Sequence, residues 1–165
     1  LLPQEIARAG YETWLLEQTH IAGIDPRRVT VELTESALLA DQAAAADRLA
    51  RLRDAGLGVA LDDFGTGYAS LAYLVTLPID TLKIDRGLIA GISKSNRSRI
   101  IVRSTIEMAR ELGLTVLVEG VESDVELEML TAWGCDRYQG FLGSRALEQS
   151  ELATFVASAV GTQAA

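Results

Sequence analysis

Leu57-Gly58-Val59-Ala60-Leu61-Asp62-Asp63-Phe64-Gly65-Thr66-Gly67-Tyr68 is the stretch that decides the fold. Residues 57–62 form a nearly continuous apolar run, as expected of a strand covered on both faces in a parallel sheet. The run ends on two adjacent carboxylates and passes at once into a glycine-bracketed loop. One acid there is explained by a turn. Two acids delivered by a buried strand are costly to place unless a cation neutralises them, and a divalent metal is the natural choice.

Working outward, strands and helices alternate. The β-branched run 29–34, the apolar run 57–62 and segments 80–84, 114–119 and 136–141 read as strands. Between them, helices are expected over 41–54 (capped by Asp41, stopped at Gly56), 69–76 (ending before Pro78), 96–112 and 123–133, with a helical turn near 87–92. An amphipathic helix over 4–19 precedes the first strand, and another over 149–160 follows the last. In helix 96–112 the expected apolar face is Ile100, Ile101, Ile106, Met108, Ala109 and Leu112. The βα repeat predicts parallel strands with right-handed crossovers, either as an open doubly wound sheet or as part of a (βα)8 barrel. Spacing alone does not choose between them.

Composition narrows the function. The 165 residues, 48% apolar and 23% charged, fit one soluble globular domain. No apolar stretch approaches the ~20 residues that cross a bilayer, and no signal peptide is seen, so a cytoplasmic location is expected. The single Cys135 cannot form an intramolecular disulfide and fits a reducing compartment. A net charge of −8 argues against duplex nucleic acid as a partner but leaves room for a small phosphorylated ligand beside bound metal. His20 is the sole histidine, which excludes Ser-His-Asp triads and His-rich zinc sites in all practical terms.

Each expected strand delivers polar groups to its C-terminal end: Glu32 and Glu35, Asp62 and Asp63, Lys83 and Asp85, Glu119 and Glu122, and Gln139. That edge is where parallel α/β proteins build their sites. Carboxylates and an amide without thiol or imidazole suit hard ions, Mg²⁺ or Mn²⁺. An adjacent Asp pair can serve two ions ~3.5–4 Å apart, the arrangement for in-line displacement at phosphorus. Lys83 would orient the attacking water or stabilise charge on the phosphate.

Each of these residues also has a structural explanation. Glu32 fits an ion pair, Asp62 a helix cap, Asp63 a turn, and Lys83 a counter-ion for Asp85 or Glu119. Glu35 and Glu122 fit a scaffold role, and Gln139 fits a satisfied core amide. Trp14, Tyr73, Trp133 and Cys135 are explained by core or interface packing.

Five motifs in order together resemble the EAL-domain family of bacterial cyclic di-GMP phosphodiesterases. They are Glu32-Leu33-Thr34-Glu35-Ser36, Asp62-Asp63-Phe64-Gly65-Thr66-Gly67-Tyr68, Leu82-Lys83-Ile84-Asp85-Arg86, Glu119-Gly120-Val121-Glu122 and Gln139-Gly140. The resemblance covers nearly the whole chain and implies a modified TIM barrel with its site at the C-terminal face. It implies metal ligation by Glu32, Asp62, Asp63 and Glu119, with two Mg²⁺ or Mn²⁺ ions in an intact domain. It gives Lys83 the task of activating or orienting water, with Gln139 and Glu122 as water-positioning groups. Glu35 resembles the acid that anchors the following loop. That loop, with Phe64, Gly65, Thr66, Gly67 and Tyr68, would meet substrate and couple metal binding to a homodimer. The implied reaction is hydrolysis of cyclic di-GMP to linear pGpG, in a parent expected to carry an upstream sensor or diguanylate cyclase domain, with a membrane anchor as a further option for that parent.

The departures from the family pattern carry their own expectations. No Glu-Ala-Leu motif occurs upstream of residue 32, and a further asparagine ligand is missing. Residues 1–165 therefore resemble an N-terminally truncated EAL domain, an incomplete (βα)8 barrel of about five strands out of eight. Ala69 and Ala146 stand where serine and proline are usual. A site short of two oxygen donors should hold metal more weakly. A five-strand slice should also leave two raw edges and an uncovered apolar interior, so the isolated chain is expected to be a poor enzyme. Competing functions are a receptor that binds cyclic di-GMP without cutting it, an interaction module with a vestigial site, and a Schiff-base aldolase using Lys83. The last leaves the Asp pair and Glu119 without a task.

Overall fold

In a computed structural model, the structure describes residues 10–34, 42–66 and 71–162. Helix α1 (Tyr11–Ile21) and a short 3-10 turn (Pro26–Arg28) lead into β1 (Thr30–Thr34). There follow α2 (Gln42–Asp54), β2 (Gly58–Phe64), α3 (Leu71–Thr76), β3 (Thr81–Ile84), α4 (Arg86–Ile89), α5 (Asn96–Glu111) and β4 (Thr115–Glu119). Helix α6 (Asp124–Ala132), β5 (Arg137–Gln139) and α7 (Gln149–Thr162) complete the described residues.

The five strands form one parallel sheet in the order β1-β2-β3-β4-β5. A doubly wound sheet reverses its strand order at a switch point, whereas a barrel wall adds each strand beside the last. The unbroken order therefore selects the barrel alternative, with β1 and β5 as edges.

The strand sequences alternate, and the alternation sorts the two faces. Val31, Leu33, Val59, Leu61, Leu82, Ile84, Val116 and Val118 turn toward the helices and are buried. Ala45, Leu49 and Leu52 of α2 and Val102, Ile106 and Ala109 of α5 close over them. Each such aliphatic side chain removed from water contributes about 1.5–3 kcal/mol. The opposite face carries Glu32, Asp62, Thr81, Lys83, Thr115, Glu119, Arg137 and Gln139, with Ala60 and Leu117 as its apolar members. The expected uncovered apolar interior is thus corrected. That face is mostly polar because, apart from Ala60 and Leu117, every second residue of the strands is polar, and those at the strand ends form the site.

Several expected boundaries shift. Among the described residues the helix expected over 4–19 is seen from Tyr11, after Gly10 in a left-handed conformation, to Ile21, while residues 4–9 and the expected cap Asp41 lie outside the described residues. In α5 the buried stripe is Val102, Ile106 and Ala109, whereas Ile100, Ile101 and Leu112 are exposed. Positions four and three residues apart lie on one helical face, and that spacing outranks apolar character in deciding what is buried. The fifth strand ends at Gln139, since Gly140 turns the chain against the backbone of Val121. Trp14 is 52% exposed and lies beside Tyr11, so it is not a core residue.

Candidate metal centre

β2 does not stop at Asp62 but continues through Asp63 to Phe64, across an irregularity. Leu61 pairs with Leu82 and Phe64 with Ile84, so Asp62 and Asp63 together stand opposite the single residue Lys83. This is a β-bulge. Asp63 sits at φ 57, the one non-glycine residue with positive φ among the described residues. In a regular strand, adjacent side chains point to opposite faces. The left-handed residue breaks that alternation, and carboxylate oxygens of Asp62, Asp63 and Glu119 all come within 4.8 Å of one another. Aspartate tolerates this backbone better than most residues, at a strain of about 1 kcal/mol.

The bulge is held locally. Asp63 N–H donates to Asp62 Oδ1 at 3.0 Å, and the Asp63 carbonyl accepts from Thr66 N–H at 3.2 Å and from Thr66 Oγ1 at 2.9 Å. The turn is thus made by the Asp63 main chain and leaves its carboxylate available. Asp63 therefore initiates the turn at Gly65, through its main chain, and residues 67–70 before α3 lie outside the described residues.

Lys83 rises from β3 into the middle of the acids. Its Nζ lies 2.8 Å from Asp62 Oδ1, 2.8 Å from Glu119 Oε1 and 3.0 Å from Glu32 Oε1. At 5% exposure it is the one charged residue in the buried class among the described residues. Burial alone would lower its pKa, but hydrogen bonds to Asp62, Glu119 and Glu32 outweigh that and hold the ammonium above the ordinary lysine value. Asp85 is not its partner. The Asp85 carboxylate instead caps α4 by accepting from Gly87 N–H at 2.7 Å.

Glu119 is delivered by the last residue of β4, where Gly120 follows at φ 73 with Arg86 packed so closely that a Cβ would clash. Gln139 pairs with Glu119 in the β4–β5 ladder and shares its face. Glu122 stands apart: it is exposed on the way into α6, and its N–H donates to Glu126 Oε2 at 3.0 Å. Phe64, read as part of the loop, is a correction. It closes β2 with 7% exposure and packs in the core, because the bulge turns it back toward the helices. Gly65, at φ 102, and Thr66 form the turn. Glu35, Gly67 and Tyr68 lie outside the described residues.

Four carboxylates and one ammonium converge from four strands and leave the cluster formally anionic. An all-oxygen donor set on a water-accessible sheet edge fits Mg²⁺ or Mn²⁺. Asp62, Asp63 and Glu119 are the residues placed to hold such an ion, with Glu32 beside them on Lys83. Two aspartates that sequence reasoning passed over, Asp80 and Asp136, bond to the strands that carry the site. Their signal is a shared spacing, three residues before Lys83 and three before Gln139.

A parallel barrel wall with acids and a buried lysine at its C-terminal edge defines the class as a TIM-barrel-like protein with an acidic site. Residues 1–146 match the EAL domain family, and the chain belongs to that family. Among curated relatives, it is 40% identical over 134 residues to the bifunctional diguanylate cyclase/cyclic di-GMP phosphodiesterase MucR of Pseudomonas aeruginosa (81% of this chain, 20% of MucR). It is 42% identical over 135 residues to the cyclic di-GMP phosphodiesterase NbdA of the same species (82% and 17%). The chain thus spans about a fifth of these relatives. Among solved structures, the EAL domain of Mycobacterium smegmatis DcpA superposes with a TM-score of 0.91 at 36% identity, covering 96% of this chain and 71% of that one. Klebsiella pneumoniae BlrP1, in a manganese/cyclic di-GMP complex, superposes at 0.82 and 36% identity (88% and 37%).

Proposed function

We propose that this chain forms the C-terminal part of a metal-dependent phosphodiesterase site that hydrolyses cyclic di-GMP to linear pGpG. The observation that carries the proposal is the Lys83 ammonium within 3.0 Å of carboxylates from three other strands, two of which join Asp63 in the oxygen cluster. Relatives named as cyclic di-GMP phosphodiesterases, and a related structure holding manganese and cyclic di-GMP, support it.

When bound, divalent ions supply Lewis acidity and charge neutralisation for attack of water at phosphorus. The chain's own residues do the rest. Asp62, Asp63 and Glu119, with Glu32 beside them, would hold such ions, whose positive charge would draw a phosphodiester to this edge. Lys83, held charged by its partners, donates hydrogen bonds at the centre of the cluster and orients the incoming water or the phosphoryl oxygens. Gln139, beside Glu119, offers an amide for the same water. In the reaction one P–O bond forms to water, one P–O bond to ribose breaks, and the leaving oxygen takes a proton. Glu122, just before the cap of α6 and bonded by its N–H to the Glu126 carboxylate, serves as a further water-positioning group. The Gly65–Thr66 turn, with Gly67 and Tyr68, contributes to substrate contact and to a homodimer through α3, and Glu35 anchors it. An upstream sensor or cyclase domain in a longer parent supplies the input.

The test is product analysis with the full-length protein and cyclic di-GMP in Mn²⁺. Formation of pGpG that needs Mn²⁺ and falls about 100-fold or more in Asp63→Asn is expected. Tight nucleotide binding without turnover would instead identify a receptor. Turnover by the isolated 165-residue chain equal to that of the full-length protein would overturn the expectation that the chain alone is impaired.

A further inference from the structure

Two aspartates outside the carboxylate cluster hold the same place in two alternate strand pairs, β2–β3 and β4–β5. Asp80 immediately precedes β3, and Asp136 immediately precedes β5. Val59 N–H donates to Asp80 Oδ2 at 2.9 Å, and Asp80 N–H donates back to the Val59 carbonyl at 2.8 Å. The same two-bond ring joins Val116 to Asp136, at 2.8 Å for the side-chain bond and 3.2 Å for the return. The Asp80 carbonyl also accepts from Thr115 N–H at 2.9 Å, so this residue ties β2, β3 and β4 together.

At this end of the sheet the neighbouring strand has not yet begun. The valine N–H would face an edge without a ladder partner, and a carboxylate supplies an anionic acceptor, stronger than a carbonyl. Spacing then links these rings to the site. Val59 lies three residues before Asp62 and Asp80 three before Lys83, while Val116 lies three before Glu119 and Asp136 three before Gln139. A slip of one residue at a ring would move the partner by about 3.3 Å and turn its side chains to the other face.

We infer that Asp80 and Asp136 are positioning residues that fix strand register for the site, Asp80 setting Lys83 against Asp62 and Asp136 setting Gln139 against Glu119. Each ring acts from the opposite edge of the sheet, where the side chain touches neither substrate nor metal. Asp80 is also paired with Arg53 Nε at 2.9 Å, whereas Asp136 makes no ion pair among the described residues, so Asp136 gives the cleaner test.

The effect on the site rests on the metal-centre proposal, but the effect on register does not. The experiment compares full-length wild type, Asp136→Ala and Asp136→Asn by Mn²⁺ calorimetry and by amide exchange across 115–119 and 137–139. Asparagine keeps an oxygen able to accept the Val116 N–H. Asp136→Ala is expected to weaken Mn²⁺ binding about tenfold and to speed exchange about tenfold. Asp136→Asn is expected to stay within about twofold of wild type on both. Unchanged Mn²⁺ affinity with a lowered melting temperature in Asp136→Ala, or an asparagine variant as impaired as alanine, would overturn the inference. If the alanine variant does not fold, Asp136→Ser, whose oxygen is too short to close the ring, takes its place, and wild-type behaviour there overturns it equally. If wild type itself binds no Mn²⁺, the metal proposal fails, and the exchange contrast between alanine and asparagine decides the register alone.

Discussion

The ammonium of Lys83 lies 2.8 Å from the carboxylate of Asp62 across the β2–β3 ladder, and both residues belong to the one bulge that interrupts that ladder. Structure and chemistry are joined at this pair, since the cation that neutralises the acids is itself the group proposed to act on substrate.

Replacing the cation separates those two tasks. Lys83→Met leaves three carboxylates facing one another without their shared partner, and like charges at this distance repel. A loss of about 1–3 kcal/mol is expected, moderated by the partial exposure of the acids. Added Mn²⁺ should restore part of the lost melting temperature while turnover stays absent. Differential scanning fluorimetry with and without Mn²⁺ checks this, and equal melting of the variant in both conditions would contradict it.

The pH dependence has a definite sign. Lys83 has a folded-state pKa raised above its unfolded value, so its stabilising contribution is complete below the ordinary lysine range. That contribution is lost only as pH rises through the higher folded value. The stability gap between wild type and Lys83→Met should therefore stay constant from about pH 7 to 10 and shrink above that. Urea unfolding at stepped pH measures it; a gap that closes by about pH 9 would show that the carboxylates do not hold the proton.

Asp63 trades stability for function. Its φ of 57 suits glycine better than any residue with a side chain. Asp63→Gly should keep the fold, with stability unchanged or raised by up to about 1 kcal/mol, and yet lose Mn²⁺ binding and turnover. Denaturant titration alongside calorimetry tests the pair of outcomes. A variant that binds Mn²⁺ as wild type would remove Asp63 from the centre.

Gly140 closes β5 where a Cβ would fall on the backbone of Val121, between Val121 N–H to Gln139 carbonyl and Leu142 N–H to Val121 carbonyl bonds of 3.1 Å each. Backbone cannot swing aside as a side chain can. Gly140→Ala is therefore expected to destabilise by about 3 kcal/mol and to displace Gln139. Thermal denaturation and turnover together report it, and an unperturbed melting temperature would show that the approach is looser than described.

Much was legible in the sequence because parallel strands write a simple code. Alternation in Val31-Glu32-Leu33 and Val116-Leu117-Val118-Glu119 separates core from site one residue at a time, and the acids at strand ends mark the working edge. The run 57–62 hides this pattern, because Ala60 is apolar on the site face, and the run ends before the bulge that carries β2 on to Phe64. Helix α5 misled in the opposite way, since Ile100 and Ile101 are apolar yet exposed, and only packing against β4 shows which stripe is buried.

Sequence by itself determined the βα repeat, the kind of donor that gathers and the edge at which it gathers, because these follow from local periodicity and side-chain chemistry. Tertiary structure alone decided that Asp62 and Asp63 share a face, that Lys83 serves three acids at once, and that Asp80 and Asp136 grip neighbouring strands. Each of these depends on contacts between residues at least twenty positions apart or on one left-handed backbone angle. No local pattern encodes such contacts, because the register that creates them exists only once the strands have paired.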